Sequence, residues 1–255
     1  MNFEELVDIV TKLRAPDGCP WDREQTRESL KQYLVEEFYE LIDALDENDY
    51  EGMREEMGDL LFQIILQSQL SKEEGTFDIH DVVADIAGKM VRRHPHVFGD
   101  KELSTSDDVV KWWEESKKRE GKNHDSAIGG VPRSLPALLR ARKIQMKASR
   151  VGFDWTRIED VFDKLEEEIR ELKEAITEKK QKAIEEELGD LFFVLVRIAN
   201  FVEVNPEDAL RRTIKKFDQR FRYIEAAAAR QGKKLSDMTL AEMDVFWEEV
   251  KKSEK

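Results

Sequence analysis

The sequence predicts an all-α protein built from two tandem helical bundles. Three observations support this prediction: glycine and proline are scarce, apolar residues recur at helical spacing, and one segment of the chain is repeated. The 255 residues include only 12 glycines and 6 prolines, so long segments rich in Glu, Lys, Leu and Ala run without a break. This length suffices for two domains of about 100 to 130 residues, each with its own core.

Two segments show the apolar periodicity of helices with one buried stripe. The apolar residues are Leu34, Phe38, Leu41, Ile42 and Leu45 in the first segment and Leu165, Ile169, Leu172 and Ile176 in the second. Spacings of three and four residues are typical of helices, whereas strands alternate every two residues. Residues 60–66 and 191–198 are apolar on nearly every side. We therefore expect these two stretches to be the most buried helices.

An internal repeat divides the chain. Residues 36–63 align without a gap on residues 167–194, with twelve identities in 28 positions, most of them at acids. The repeat predicts two domains, at residues 1–125 and 137–255, joined by a linker rich in Gly and Pro at residues 126–136. After a four-residue deletion, and then a longer insertion, in the second copy, three further pairs match: Lys89 with Lys216, Arg93 with Arg220, and Trp113 with Trp247.

The acids of the first copy are spaced to meet across a helical hairpin. Glu37 and Glu40 are three residues apart, as are Glu56 and Asp59, and turn-forming residues lie between the pairs near position 48. If the two helices fold back antiparallel, Glu40 lies opposite Glu56. The same fold places Glu37 opposite Asp59, and a rise of about 1.5 Å per residue separates the two layers by about 4.5 Å.

The second copy repeats this pattern about residue 179, with Glu171 opposite Glu187 and Glu168 opposite Asp190. Four like charges in a partly dry site repel one another strongly, so a cation is expected. Ligation by oxygen alone favours Mg²⁺, or Mn²⁺ in its place, over zinc or copper, and Mg²⁺ is commonly shared with substrate phosphates. The pattern predicts phosphoryl chemistry, whereas a single such motif is more often a solvated helix face.

Basic and aromatic residues downstream of the acids are candidate nucleotide contacts. The basic pairs, four residues apart on predicted helices, are Lys89 with Arg93 and Lys216 with Arg220. Arg offers bidentate contacts to phosphate oxygens. Trp113 and Trp247 each begin a WEE pattern near the end of a copy, where an indole could stack on a base or sugar. A core or interface role for these tryptophans is the alternative.

Composition excludes several classes of protein. Charged residues make up 38% of the chain and the formal net charge is -14, so the basic footprint of a duplex nucleic-acid binder is missing. The single cysteine, Cys19, excludes an internal disulfide and a cysteine zinc site. No apolar run reaches the roughly 18 residues needed to span a membrane, and the acidic N-terminus is unlike a signal peptide. We expect a cytoplasmic protein without membrane or duplex nucleic-acid partners.

At these residues the sequence resembles the MazG family of all-α nucleotide pyrophosphohydrolases. Both halves carry that family's EExxE…ExxD signature, beginning at Glu36 and at Glu167. Further matches are CPWDREQT at residues 19–26, RRHPHVFGD at residues 92–100 and VGFDW at residues 151–155. The resemblance covers essentially the whole chain.

The resemblance implies two tandem MazG-like domains in an α-helical homodimer whose acids bind Mg²⁺. It also implies an enzyme acting on acid anhydrides, which hydrolyses nucleoside triphosphates between the α and β phosphates to nucleoside monophosphate and pyrophosphate, a nucleotide-pool house-cleaning activity. In family members the first copy can be degenerate, but here it keeps every acid and its Lys/Arg pair. Family metal and nucleotide positions are matched by Lys164, Glu168, Glu171, Glu187, Asp190, Lys216, Arg220 and Trp247.

These arguments define three sets of candidate site residues. The metal ligands are Glu37, Glu40, Glu56, Asp59, Glu168, Glu171, Glu187 and Asp190. The catalytic set adds Glu36 and Glu167, either of which could orient or deprotonate the attacking water. The nucleotide-binding residues are Lys89, Arg92, Arg93, Trp113, Lys164, Lys216, Arg220 and Trp247.

Three other functions compete with this interpretation. A di-iron carboxylate bundle needs Glu-x-x-His on two helices, and no histidine of this sequence lies three residues after a glutamate. A non-catalytic helical protein that binds nucleotides or regulates a partner would release no product. Hydrolysis of inorganic pyrophosphate is a nearer alternative, because the same metal cluster could perform it.

Overall fold

The computed structural model describes residues 1–120 and 126–253, and within these ranges all regular structure is helical. The all-α prediction is therefore confirmed. The chain divides into two compact units, Met1–Lys122 and Asn123–Lys255, so residues 126–136 belong to the second unit. None of the described helices is both long enough and apolar enough to cross a membrane.

The first unit is built around a pair of long helices, α3 and α4. A buried cluster that includes Val10, Leu30, Ile65 and Leu66 forms its core, and α1 and α5 pack against α4. The helices of this unit are α1 (Phe3–Leu13), α2 (Pro20–Glu24), α3 (Lys31–Glu47), α4 (Tyr50–Glu73), α5 (Ile79–Arg93), α6 (Pro95–Phe98) and α7 (Ser106–Arg119).

The second unit repeats the long pair as α9 and α10. Helix α8 packs on α10, and α11 packs on α8 and α12. Between α11 and α12 a buried cluster gathers Ile224, Ala228, Met238 and Phe246. The helices of this unit are α8 (Ala137–Ser149), α9 (Ile158–Thr177), α10 (Gln181–Phe201), α11 (Pro206–Arg230), a short 3₁₀ turn (Leu235–Asp237) and α12 (Leu240–Ser253).

Both long pairs are closed by tight turns at the predicted positions. In the first pair Asn48 has a left-handed φ of 55°, and Asp49 donates its backbone N–H to the carbonyl of Ala44. In the second pair Lys179 also has a φ of 55°, and Lys180 donates to Ala175. This is the usual way to satisfy the last carbonyls of a helix while reversing the chain. The expected turns near residues 48 and 179 are confirmed.

The expectation that residues 60–66 and 191–198 are the most buried stretches is only half right. Ile65 in the first stretch and Val196 in the second are fully buried, but Ile64 is 38% exposed and Phe192 is 57% exposed. The reason is geometric, because α8, α9 and α11 cover only part of the circumference of α10. An all-round apolar helix thus buries one face within its unit and leaves another exposed.

Candidate metal centres

In the second unit, the hairpin of α9 and α10 brings three carboxylates together. One oxygen from each of Glu168, Glu171 and Glu187 lies within 4.8 Å of the other two. Glu168 is only 4% exposed, whereas Asp190, one turn beyond Glu187, is exposed. The two helices are thus in the register that the sequence predicts.

The carboxylates of the second cluster are negatively charged and close together, which affects the pKa of Glu187. Partial burial raises the pKa of Glu187, and the negative charges of Glu171, Glu168 and Asp190 raise it further. A hydrogen bond that the protonated Glu187 side chain donates to Glu168 acts in the same direction. Without a cation, one proton is therefore held among these acids more tightly than by an isolated glutamate.

Lys164 enters the second cluster from the preceding turn of α9. Its Nζ lies 2.7 Å from Glu167 Oε1 and 2.7 Å from Glu168 Oε1. Hydrogen bonds to these two carboxylates raise the pKa of Lys164, and the bond from Lys164 lowers the pKa of Glu167. The spacings of three and four residues that permit both contacts can be read from the sequence.

The first unit builds a matching cluster on α3 and α4. Carboxylate oxygens of Glu37, Glu56 and Asp59 lie within 4.8 Å of one another. Burial, followed by the charges of Asp59, Glu40 and Glu56 and a hydrogen bond to Glu40, raises the pKa of Glu37. Burial also raises the pKa of Glu56, with Glu40 and Asp59 adding to the effect. All four predicted acids therefore interact, although Glu40 lies at the edge of the group.

The position equivalent to Lys164 in the first copy is Tyr33. Its ring packs edge-on against Trp21, with 5.7 Å between centroids, and contacts the core. Within the described residues, no lysine or arginine forms an ion pair with any of the four acids of this cluster; the nearby Glu36 is exposed. The first cluster is therefore purely anionic, whereas the second contains one cation.

Both clusters have the chemistry of a site for a hard divalent cation. Every converging atom is a carboxylate oxygen, and burial, together with repulsion among the acids, raises the pKa values of Glu37, Glu56 and Glu187. A bound cation would offset both effects. Mg²⁺ and Mn²⁺ prefer such ligands. The donor set fits the predicted metal, and the eight predicted ligands lie on the two hairpins that form the clusters.

The basic and aromatic candidates of the second copy lie together. The guanidinium of Arg220 lies 5.2 Å from the ring centroid of Trp247, a distance suited to a cation–π contact. Trp247 also contacts Phe217, with 5.5 Å between ring centroids. Lys216, one turn before Arg220 on α11, is exposed. This arrangement offers an aromatic face beside two positive charges.

In the first copy the equivalent residues are arranged differently. Arg93 is buried and forms a two-pronged ion pair with Glu120, and Trp113 packs edge-on against His94, with 5.3 Å between centroids. Lys89 is half-buried and Arg92 is exposed. Sequence reasoning missed Glu120, and no motif could have identified it, because it lies 27 residues beyond its partner.

Comparison with known proteins agrees with this duplicated architecture. The family model described as the MazG nucleotide pyrophosphohydrolase domain matches residues 25–98 and again residues 157–224. Each matched segment contains one of the two acid clusters.

Two relatives match this chain along almost its whole length. The nucleoside triphosphate pyrophosphohydrolase/pyrophosphatase MazG of Thermotoga maritima is 46% identical over 98% of this chain and 95% of the relative. The nucleoside triphosphate pyrophosphohydrolase of Escherichia coli K12 is 42% identical over 99% of this chain and 98% of the relative. The crystal structure of a mazG-related protein from Thermotoga maritima aligns with 45% of this chain and 98% of that one, at 26% identity and a TM-score of 0.40.

Proposed function

The chain belongs to the MazG nucleotide pyrophosphohydrolase family, and from this premise we propose that it hydrolyses nucleoside triphosphates between the α and β phosphates. The products are a nucleoside monophosphate and pyrophosphate, and the reaction requires Mg²⁺, for which Mn²⁺ can substitute. One observation supports this proposal best. Each copy gathers at least three carboxylates whose oxygens converge within 4.8 Å. The pKa values of Glu37 and Glu187 are raised, and a bound cation would lower them.

In the second copy, Glu168, Glu171, Glu187 and Asp190 would hold the ion. When bound, Mg²⁺ neutralises charge on the triphosphate, polarises the reacting phosphoryl group and lowers the pKa of water. The protein residues then need only hold and orient the substrate, and no serine, cysteine or histidine nucleophile is required. Glu167 is the candidate for orienting the attacking water, but its lowered pKa makes it a weak base while Lys164 holds it. Glu36 has the same role in the first copy.

The remaining contacts of the substrate follow from the residues around Arg220. Lys216 and Arg220 would bind the phosphate oxygens that the ion does not reach, with Arg220 able to make two parallel hydrogen bonds. Trp247 would stack on the base or sugar, since its ring already lies beside Arg220 and Phe217. Lys89, Arg92, Arg93 and Trp113 are the corresponding candidates in the first copy.

A homodimer is part of the proposal. Large apolar side chains are exposed on the long helices of both units, among them Phe38 and Ile64 in the first and Phe192 and Leu195 in the second. Exposed apolar patches of this kind are commonly covered by association. Measurement of the molar mass in solution at micromolar concentration tests this point, and a monomeric mass would refute it.

The deciding experiment incubates the pure protein with Mg²⁺ and a panel of nucleoside triphosphates and resolves the products. We expect monophosphate and pyrophosphate, and no turnover in excess chelator. Glu187→Gln should lower the rate, whereas Glu186→Gln, an exposed neighbour on α10, is the matched control. Diphosphate and orthophosphate as primary products would overturn the choice of bond. Nucleotide binding without any product would instead identify a non-catalytic binding protein.

Hydrolysis of inorganic pyrophosphate is the second candidate activity. A specific observation favours it, because the Thermotoga maritima relative, 46% identical to this chain, is named a pyrophosphohydrolase/pyrophosphatase. The same incubation with pyrophosphate alone, followed by measurement of orthophosphate, tests it.

A further inference from the structure

Lys164 is distinguished by its position inside an acidic cluster. Among the described residues, it alone forms an ion pair with one of the proposed metal ligands, at 2.7 Å from Glu168 Oε1. The carboxylate of Glu168 is 5% exposed and that side of the pair is shielded from water, while the side chain of Lys164 is 34% exposed. The lysine therefore reaches in from the surface and places a positive charge where a metal ligand is buried.

A divalent cation and Lys164 compete for the same carboxylate. Glu168 supplies one of the oxygens that converge within 4.8 Å with those of Glu171 and Glu187. Lys164 forms an ion pair with Glu168 Oε1. A cation in the cluster and the ammonium of Lys164 would also repel each other across a short, partly desolvated distance.

We propose that Lys164 is the resident counter-ion of the second cluster and leaves Glu168 when a divalent cation binds, so that its ammonium becomes available to the triphosphate. This inference rests on the proposed function and adds to it an order of events at the same site. It makes Lys164 a positioning residue for Glu168 in the metal-free protein and a substrate contact afterwards.

The side chain can make this move without rearranging the fold. Lys164 lies in the second turn of α9, its ammonium is carried on a flexible four-carbon stem, and its other partner, Glu167, is exposed. The first copy shows what the cluster is like without such a residue. There Tyr33 packs against Trp21, and no described cation pairs with the acids.

Two measurable consequences follow. Without nucleotide, the second cluster binds metal more weakly than its acids alone would allow, because Lys164 must first be displaced. With nucleotide present, the displaced ammonium binds phosphate, so removal of Lys164 weakens nucleotide binding. A residue that only supports the fold would weaken both kinds of binding when removed, and a residue that only binds nucleotide would leave metal affinity unchanged.

The experiment uses the full-length protein carrying Glu56→Gln, which weakens the first cluster, and measures free Mn²⁺ by electron paramagnetic resonance. Adding Lys164→Met should tighten Mn²⁺ binding about 10-fold, as expected for removing one partly screened positive charge beside a cation. Lys173→Met, on the exposed part of the same helix, is the matched control and should leave Mn²⁺ affinity unchanged. At saturating Mn²⁺, Lys164→Met should weaken binding of a non-hydrolysable triphosphate analogue.

Each result has a defined meaning. Tighter Mn²⁺ binding together with weaker analogue binding supports the counter-ion role. Unchanged or weaker Mn²⁺ binding in Lys164→Met overturns that role but leaves the proposed function intact. Absence of Mn²⁺ binding in the Glu56→Gln protein itself overturns both proposals. Lys164→Gln, with circular dichroism to verify the helical fold, repeats the test should the Met variant fold poorly.

Discussion

The two copies place the same four acids on the same kind of hairpin, yet their basic residues have different surroundings. The second cluster contains Lys164, whereas the first has Tyr33 at that position. The second copy holds Arg220 beside Trp247, whereas the first binds Arg93 to Glu120. The two copies thus share their acids and the matching arginines, but differ in the contacts of those arginines and in the residue at the position of Lys164.

This difference bears on how each copy would handle a cation and a nucleotide. Among the described residues, no lysine or arginine pairs with the acids of the first cluster, and burial together with mutual repulsion raises the pKa values of Glu37 and Glu56. In the second, Lys164 supplies one positive charge, which forms an ion pair with Glu168. The shared acids therefore favour metal binding at both clusters, whereas the different surroundings favour different nucleotide binding by the two copies.

The strongest test of the comparison removes one acid from each cluster. We expect Glu56→Gln and Glu187→Gln each to weaken metal binding at their own copy by about 10- to 100-fold or more, because each removes one of the three carboxylates whose oxygens converge. The other copy should keep its affinity. Isothermal titration with Mg²⁺ measures both the affinity and the number of ions bound.

The folded protein without metal should tolerate both changes. Each replacement relieves part of the repulsion among the acids, so the free energy of unfolding in chelator should not fall. If Glu56→Gln changes neither the number of Mg²⁺ ions bound nor their affinity, the first cluster is not a metal site. Only the second copy would then be expected to bind metal.

The sequence was sufficient for the fold and for the pairing of the acids, since these depend on local spacing. Asn48 and the equal distances of Glu40 and Glu56 from it place the hairpin and its register. Contacts between residues distant in sequence were not predictable. The sequence predicts Arg93 as a phosphate ligand, which stays a prediction, but its ion pair with Glu120 depends on how α5 and α7 pack, which no periodicity encodes.

The two arginines should also differ in what their removal affects. The side chain of Arg93 is 9% exposed and that of Glu120 is 23% exposed, so Arg93→Met removes a largely buried charge from this ion pair and should lower the free energy of unfolding by about 1 to 3 kcal/mol. Arg220→Met should weaken nucleotide binding more than Arg93→Met does, because Arg220 lies beside the ring of Trp247. Urea unfolding and nucleotide titration measure the two effects, and equal loss of nucleotide binding in the two variants would contradict the distinction.

The acids should also give the metal-free protein a characteristic pH dependence. A raised carboxyl pKa means that the folded state keeps a proton which the unfolded chain, with an ordinary value of 4.5, has lost. The stability contributed by these groups is therefore fully present below 4.5 and falls as pH rises through the raised values. Bound Mg²⁺ should cancel this fall, because its ligands must be deprotonated.

The first cluster should account for most of this pH dependence, because Glu37 and Glu56 both have raised pKa values there, whereas the second cluster contains the positive charge of Lys164. Glu56→Gln should flatten the fall in stability above pH 4.5 more than Glu187→Gln, since it also removes a charge that acts on Glu37. Urea unfolding in chelator at several pH values measures this. If the two variants flatten the pH dependence of the free energy of unfolding equally, Lys164 does not cause the two clusters to titrate differently.

The smallest expected difference lies in the turns that set the register of the two hairpins. Asn48 and Lys179 both have a φ of 55°, but the left-handed conformation is tolerated by asparagine and strained for lysine, whose Cβ approaches its own carbonyl oxygen. Lys179→Gly removes that Cβ and should raise the free energy of unfolding by about 0.5 to 1 kcal/mol, after allowance for the greater freedom of glycine in the unfolded chain. Asn48→Gly should change it little.

Lys179→Ala keeps the Cβ while removing the charge, so a gain in this variant equal to that of Lys179→Gly would assign the effect to charge rather than to backbone strain. Urea unfolding of the three variants, compared at one pH and ionic strength, makes that assignment, and a gain confined to Lys179→Gly would mean that the second hairpin holds its acids in register despite a strained turn.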